Sequence, residues 1–368
     1  MEAFQYQFVS IRGMQAGKEF YSSMCPLKLI PKIFLYDEEE LEPELRAQRT
    51  LNRSRIPEIA RYLIENPKDY VFSAITASID GDVLFEPLDE HGANRNVGRL
   101  IIPMSARFLI NDGQHRRAAI EEALKQCPNL GDENISVVFF LDTGLKKSQQ
   151  MFADLNKHAV RPTKSLGILY DHRDPLSELA RNLIKNVSFF KGFTETEKTT
   201  ISNRSIKLFT LSSVYQGTKA LLDKTEKSDL IKPEEEELAR DFWENVGKHI
   251  PDWQLAAERK VSAAELRKTF IHAHGLALVA LGRMGHDLVS AHPRAWKTKL
   301  KALKKIDWTR PNSVIWDGRA TVGGRVSKAR DNIVLTTNLL KNHLKLPLSD
   351  DEKRLENEFK RNRKMLRQ

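Results

Sequence analysis

Cysteine is scarce in this chain: Cys25 and Cys127 are the only two among 368 residues. Two cysteines exclude a disulfide framework and a cysteine-rich zinc or iron–sulfur site, and no other metal-ligand pattern is visible. No apolar run approaches the roughly 18 residues of a membrane span. Residues 1–6 carry neither the basic nor the apolar part of a secretion signal. We therefore expect a cytoplasmic protein that does not associate with membranes.

Basic residues outnumber acidic residues in this chain, and the excess lies in its C-terminal segment. The formal net charge is +10. Residues 294–368 hold 20 Lys and Arg against 8 Asp and Glu, whereas the rest of the chain holds 39 against 41. A basic segment joined to a nearly neutral body predicts a polyanionic partner, double-stranded DNA before a membrane surface. The alternative is a solvated helical face that only keeps the protein in solution.

The apolar periodicity changes along the chain. Alternating patterns predict strands near 4–11, 71–79, 99–110 (interrupted at Pro103) and 135–141, and helical patterns cover 56–64, 114–126 and 145–157. Beyond residue 163, helical patterns recur near 166–187, 210–223, 235–248, 261–283, 295–306 and 331–344. This organisation predicts an α+β protein, with an α/β domain at 1–165 and a helical, basic domain at 166–368.

Aromatic residues and histidines of the second half fit a packed helical core. His272 and His274 are two residues apart, a spacing that does not put both on one helix face, so we expect packing rather than metal binding. The side chains expected to anchor the core are Phe242, Trp243, Trp253, Trp296, Trp308 and Trp316.

The most informative motif follows the apolar run that ends at residue 110. Its residues are Asp112, Gly113, Gln114, His115, Arg116 and Arg117. A strand that turns on glycine into a helix leaves the first helical N–H groups unpaired, and nearby arginines suit a phosphate. Asp112 would cap the helix or hold a metal–phosphate unit, and Gln114 and His115 would contact a base or polarise a water. The alternative is a turn glycine followed by solvated polar side chains.

Two other polar segments are candidate phosphate contacts. Arg53 and Arg55 precede the helix at 56–64, at the end where the helix dipole disfavours cations unless an anion is bound. Asn156 and Lys164 flank a polar loop that can clamp a phosphate or a base edge. In both places an exposed segment at a helix end is an equally good interpretation.

A glycine-rich segment at 317–330 is the candidate DNA contact. Its glycines allow close approach to a phosphodiester, and its cations would neutralise phosphates. The residues proposed for that contact are Arg319, Arg325, Lys328 and Arg330. A flexible surface loop is the alternative.

The segment Asp112-Gly113-Gln114-His115-Arg116 resembles the signature of the DGQHR-domain proteins. Phe152 and Leu155-Asn156 follow at the spacing of that group, and residues 49–55 form its arginine-rich helix start. The group is similar to the ParB/sulfiredoxin superfamily, whose members bind a nucleoside triphosphate at the corresponding corner. Over roughly residues 4–190, the resemblance implies a ParB-like fold, a site core at 112–116 with Asn156 as a second wall, and a nucleoside triphosphate with Mg²⁺ as ligand.

Residues 203–210 and the chain length look like the DGQHR-domain proteins encoded with DNA phosphorothioation genes. That likeness implies a regulator of the modification system. Together with the Asp112 motif and the basic segment, it predicts a DNA-binding regulator, a transcriptional repressor, and we expect other phosphorothioation proteins and a second copy of the chain as further partners. One alternative is an NTPase or DNA-processing enzyme that uses Asp112, Gln114 and His115. Another is an assembly partner that docks the modification proteins.

Overall fold

The structure is a computed structural model that describes residues 4–34, 53–141, 162–225 and 230–365. The chain divides into two compact units, residues 1–160 and 161–368. The helix predicted at 145–157 lies outside the described residues.

The N-terminal unit is built on a seven-stranded mixed sheet. The strands, in chain order, are β1 (Gln5–Gln15), β2 (Lys18–Pro26), β3 (Ile75–Asp80), β4 (Leu84–Pro87), β5 (Val97–Pro103), β6 (Arg107–Asp112) and β7 (Asn134–Leu141). Their order across the sheet is β4-β5-β1-β2-β7-β3-β6. Every pair is antiparallel except β3 with β7. The sheet thus ends at β6, the strand that carries the Asp112 motif.

The described residues of this unit form three α-helices: α1 (Ile30–Ile33), α2 (Ile56–Glu65) and α3 (Gln114–Gln126). Helices α2 and α3 pack against each other. Side chains of alternate strand positions, such as Ile75, Ala77 and Ile79, are fully buried and join the helices in one apolar core. The core therefore fixes the start of α3 close to the start of α2.

Most predicted elements of this unit are confirmed, and four elements differ. The strand expected from residue 71 begins only at Ile75, and β2, β4 and α1 have no counterpart in the prediction. Tyr21, Ser23 and Cys25 of β2 are the buried positions, and the Ser23 hydroxyl lies 2.6 Å from the Ser10 hydroxyl. A serine pair on the buried face hides the apolar alternation that marks a strand.

The C-terminal unit is mostly helical, as predicted. Its helices are α4 (Lys164–Tyr170), α5 (Pro175–Asn186), α6 (Leu211–Leu221), α7 (Pro233–Lys248), α8 (Pro251–Ala257), α9 (Ala263–Thr269), α10 (Gly275–Ala291), α11 (Trp296–Lys299), α12 (Ser313–Trp316), α13 (Arg330–His343) and α14 (Asp350–Met365). Two short strand pairs accompany them, the parallel β8 (Thr194–Glu195) with β9 (Phe209–Thr210) and the antiparallel β10 (Thr321–Val322) with β11 (Arg325–Val326). No helix in the described ranges is long and apolar enough to cross a membrane.

The predicted aromatic core is confirmed. Phe242 and all five tryptophans are buried. His272 is fully buried, where its Nδ1 accepts a hydrogen bond from Trp253 Nε1 at 3.1 Å and its Nε2 lies 2.9 Å from Asp252 Oδ2. Burial lowers the pKa of His272 in spite of this carboxylate. The histidine is therefore a packing residue, as the spacing predicted.

The prediction that Arg319 contacts DNA is wrong, because this side chain is inside the fold. The Arg319 side chain is 7% exposed and forms an ion pair with Glu356, whose side chain is 5% exposed. Two hydrogen bonds, of 2.7 and 3.0 Å, join the guanidinium to the carboxylate, and a third goes to the carbonyl of Leu335. The guanidinium of Arg319 is therefore engaged within the protein and is not available to a phosphate.

Arg319→Met should destabilise the protein strongly, because it leaves the Glu356 carboxylate buried without its cation. Loss of one member of a buried ion pair costs about 3–5 kcal/mol. Arg325→Met, an exposed arginine of the same segment, is the matched control and should stay within about 0.5 kcal/mol of wild type. Urea denaturation measures both, and equal stabilities of the two variants would contradict the structural role of Arg319.

Candidate functional site

The Asp112 motif forms a strand–glycine–helix corner. Gly113 is the N-cap residue of α3 and has φ of +111°. This lies in the left-handed region of backbone conformation, which residues other than glycine rarely adopt. A Cβ on Gly113 would come within 3.0 Å of a side-chain carbon of Ile75. Glycine is thus needed both for the turn and for the close approach of β3.

A bulge lies directly beside this corner. Asp112 pairs with Thr76, but the next pair is Ile110 with Ala77, so Asn111 is the extra residue on β6. Its amide nitrogen donates a hydrogen bond to Ser78 Oγ at 2.6 Å. Bulges redirect side chains at sheet edges, and this one places Asp112 beside the first turn of α3.

Arg116 is the side chain that Asp112 contacts. One guanidinium NH2 group donates to Asp112 Oδ2 at 2.7 Å and to the carbonyl of Ala74 at 3.0 Å. The Nε atom of Arg116 is buried and has no hydrogen-bond partner in the part of the chain that the structure describes. Asp112 does not cap α3, since Gly113 occupies that position and no side chain bonds the helix start. The aspartate instead orients the arginine.

Arg116 faces a small cleft of about 350 Å³ between the start of α2 and the segment that leads into β3. Arg55, the residue before α2, lines the same cleft, as the phosphate-site hypothesis requires. The other lining residues are Glu58, Ile59, Tyr62, Val71, Phe72 and Ser73. The sequence did not predict these lining residues, although Glu58 and Tyr62 are four residues apart and so share a helix face.

His115 lies in the field of both arginines. Burial lowers its pKa, and repulsion by Arg55 and then Arg116 lowers it further, against the opposing effect of Asp112. A histidine held neutral in this way can accept or donate a hydrogen bond near neutral pH, although it adds no charge. Arg53 lies in the turn before α2 and is exposed, and it does not line the cleft.

Arg117, predicted as a second phosphate ligand, is instead part of the core. It is 8% exposed and ion-paired with Glu121 on the same helix. Its Nε donates to the carbonyl of Phe34 at 2.9 Å, and an NH2 group donates to the carbonyl of Pro31 at 3.3 Å. Its donors thus hold α1 against α3, and this part of the prediction is wrong. Gln114 is also turned towards the protein, with its Nε2 3.3 Å from the carbonyl of Ile110.

The remaining predicted phosphate contacts are Asn156 and Lys164. Asn156 lies outside the described residues. Lys164 begins α4 of the C-terminal unit, where its charge lowers the pKa of Lys328. Lys164 and Lys328, predicted for two different sites, thus lie near each other.

Three predicted DNA contacts lie together around the β10–β11 hairpin. Arg325, Lys328 and Arg330 are all exposed. None of the three has an acidic partner among the described residues. The hairpin turns at Gly323 and Gly324, which have φ of +56° and +74° and open space where a Cβ would be. Its tip is therefore basic and sterically open.

The sequence matches one protein-family model, DndB, described as DNA-sulfur modification-associated, over residues 8–347. The matched range includes both units. No curated protein and no solved structure matches the chain.

Arg116 and Arg117 should differ in their effect on stability, although they are adjacent and of the same type. Arg117→Ala leaves the buried carbonyl of Phe34 and the half-buried carbonyl of Pro31 without their donor and should cost about 1–3 kcal/mol. Arg116→Ala removes a donor from the half-buried carbonyl of Ala74 and releases the half-exposed Asp112 to water, so its cost should be smaller. Thermal and urea denaturation measure the difference, and a larger loss in Arg116→Ala would overturn this assignment.

Proposed function

The chain belongs to the DndB family of DNA-sulfur modification-associated proteins, and we propose that it is a DNA-binding regulator of the DNA phosphorothioation system. The specific role we propose is that of a transcriptional repressor, which binds double-stranded DNA through its C-terminal unit. Other proteins of the modification system and a second copy of this chain are its further proposed partners.

The observation that carries this proposal is the set of unpaired cations around the hairpin. Some other lysines of the C-terminal unit lie beside carboxylates: Lys341 is 2.6 Å from both Asp287 and Glu352, and Lys353 is 3.1 Å from Asp350. Among the described residues, the hairpin cations have no such acidic neighbour in an ion pair. Binding to DNA phosphates would release counterions and so favour association at low salt.

The glycines at the hairpin tip support the same proposal. A β-ribbon without side chains at its turn can approach a phosphodiester closely, and phosphate contacts of this kind position a protein on the duplex. Arg310 donates to the carbonyl of Gly324, which holds the tip in place. The hairpin is thus a preformed surface.

Repression additionally requires sequence preference. Fluorescence anisotropy should compare the duplex upstream of the phosphorothioation genes with a shuffled duplex of equal length. A regulator binds the first at least a thousandfold more tightly, in the usual range for specific sites. Equal affinity at every salt concentration would leave DNA binding intact but would contradict repression.

A second function is favoured by the cleft in the N-terminal unit. Arg55 and Arg116 face one small space, and the Nε of Arg116 has no hydrogen-bond partner among the described residues. We propose that the phosphate of a nucleoside triphosphate binds there, with Mg²⁺ on the phosphates, in a ParB-like arrangement. Binding without hydrolysis fits better than NTPase chemistry, because Arg116 engages the Asp112 carboxylate.

Thermal shifts with ATP, GTP and CTP test the nucleotide proposal. Saturation at a hundred times Kd stabilises a protein by about 2.7 kcal/mol, and Arg55→Gln should reduce the shift. Phosphate release from wild type that disappears in Asp112→Ala would support the NTPase alternative instead. No shift with any of the three nucleotides would remove the site.

Arg325→Gln combined with Arg330→Gln should weaken DNA binding and flatten its salt dependence. Two lost phosphate contacts should reduce the slope of log K against log salt by about 1.8. The control is Lys353→Gln with Arg354→Gln, which removes the same charge from an exposed face of α14 where both cations lie beside aspartates. Equal slopes in both double variants would place the DNA surface elsewhere, for example at Lys297–Lys305.

A further inference from the structure

The C-terminal unit contains a larger cavity, of about 890 Å³, which shares Lys328 with the proposed DNA surface but is not lined by Arg325 or Arg330. It is bounded by the loop after β8, by β9 with the start of α6, by α9, and by the start of α10. Arg310 and Lys328 reach it from the segment around the hairpin. Its lining residues include Thr199, Thr200, Asn203, Ser213, Lys268 and Gly275.

Cations gather at this cavity with little compensation. Lys268, Arg310 and Lys328 line it, and Glu265 is the one carboxylate among its lining residues. In the described ranges no ion pair joins Glu265 to any of these cations. Lys328 is exposed as a whole residue, but its amine is partly desolvated, and this desolvation and the neighbouring Lys164 both lower its pKa. The charge is thus held at an energetic cost that a bound anion would relieve.

The amine of Lys328 lies over the start of a long helix. A Cβ on Gly275 would be 2.7 Å from Lys328 Nζ and 2.2 Å from Ser213 Oγ, so only glycine fits there. Gly275 begins the 17-residue helix α10, and His274 before it makes no side-chain cap bond. The first N–H groups of such a helix lack helical partners and favour an anion, whereas a lysine amine there is unfavourable by itself.

Two other polar groups of the cavity wall are structural. Arg267 donates to the carbonyls of Ser202, Ser205 and Lys207, and so holds the loop that forms one wall. His274 Nε2 lies 2.9 Å from the carbonyl of Arg267, which can only accept, so Nε2 carries the proton. Burial lowers the pKa of His274 to about 4. This histidine is neutral and leaves Nδ1 as an acceptor.

From this cavity we propose that the C-terminal unit binds the phosphoryl group of a nucleotide, with Lys328 and Lys268 as the main contacts. Arg310 completes the cationic wall, and Thr199 and Thr200 offer hydroxyl groups. The apolar lining of Ile201, Leu208, Ala264 and Ala273 suits the uncharged part of the ligand. The volume is in the range of small-molecule sites. The site goes beyond the proposed DNA contact, since Arg325 and Arg330 do not line it.

The phosphoryl group has two possible sources, a free nucleotide or a nucleotide of the DNA itself. Isothermal titration calorimetry of the full chain with ATP and with inorganic pyrophosphate tests the first source. Anisotropy with duplex DNA tests the second. Each titration is run on wild type, Lys328→Gln and Lys268→Gln. Arg325→Gln is the control for the ATP and pyrophosphate titrations only, since it is itself expected to weaken DNA binding. Arg116→Gln is included so that binding in the N-terminal cleft is scored separately.

We expect Lys328→Gln to weaken ATP and pyrophosphate binding at least tenfold, as for a lost charged hydrogen bond to phosphate. Lys268→Gln should weaken it several-fold, and Arg325→Gln and Arg116→Gln should retain the binding at this site. If only DNA affinity falls in both lysine variants and not in Arg116→Gln, the phosphoryl group belongs to DNA. Affinities for all three probes within twofold of wild type in both lysine variants would overturn the proposal. Failure of the DNA proposal shows separately, in the variants at Arg325 and Arg330.

Discussion

The buried pair of Arg319 and Glu356 is the interaction on which the basic surface of the C-terminal unit depends. The guanidinium bonds the carboxylate and the carbonyl of Leu335, and it lies 4.6 Å from the ring centroid of Phe359. Asn338 adds a 3.3 Å hydrogen bond to the same carboxylate. Burying two charges is costly unless each is fully hydrogen-bonded, and here that requirement fixes the segment before β10 against both α13 and α14.

The segment held by the Arg319–Glu356 pair continues into the β10–β11 hairpin and supports it. Asn332 of α13 donates to the carbonyls of Gly318 and Arg319, and Thr321 Oγ1 donates to the carbonyl of Trp316. The polar groups on the inner side of this segment thus have hydrogen-bond partners within the protein. The outer side carries Arg325 and Arg330, which form no ion pair with a carboxylate in the described part of the chain. One stretch of sequence therefore holds a structural arginine and cations available to a polyanion.

The strand–glycine–helix corner at Asp112 could be predicted from the sequence, but the hydrogen-bond partners of each arginine could not. A strand, a glycine and a helix start are local features, and the structure places them at residues 107–126. Arg116 and Arg117 differ only in the direction they take from α3. Their partners, the carbonyls at residues 31, 34 and 74, are distant in sequence. Arg319 was misassigned for the same reason, since Glu356 is 37 residues away.

Hydrogen–deuterium exchange of the full chain, with and without duplex DNA, tests the central claim most directly. It reports where DNA covers the backbone without altering any residue. The account predicts slower exchange on DNA at the β10–β11 hairpin and the first turn of α13, at residues 321–334. Protection confined to the N-terminal unit, with no change at that hairpin, would contradict it.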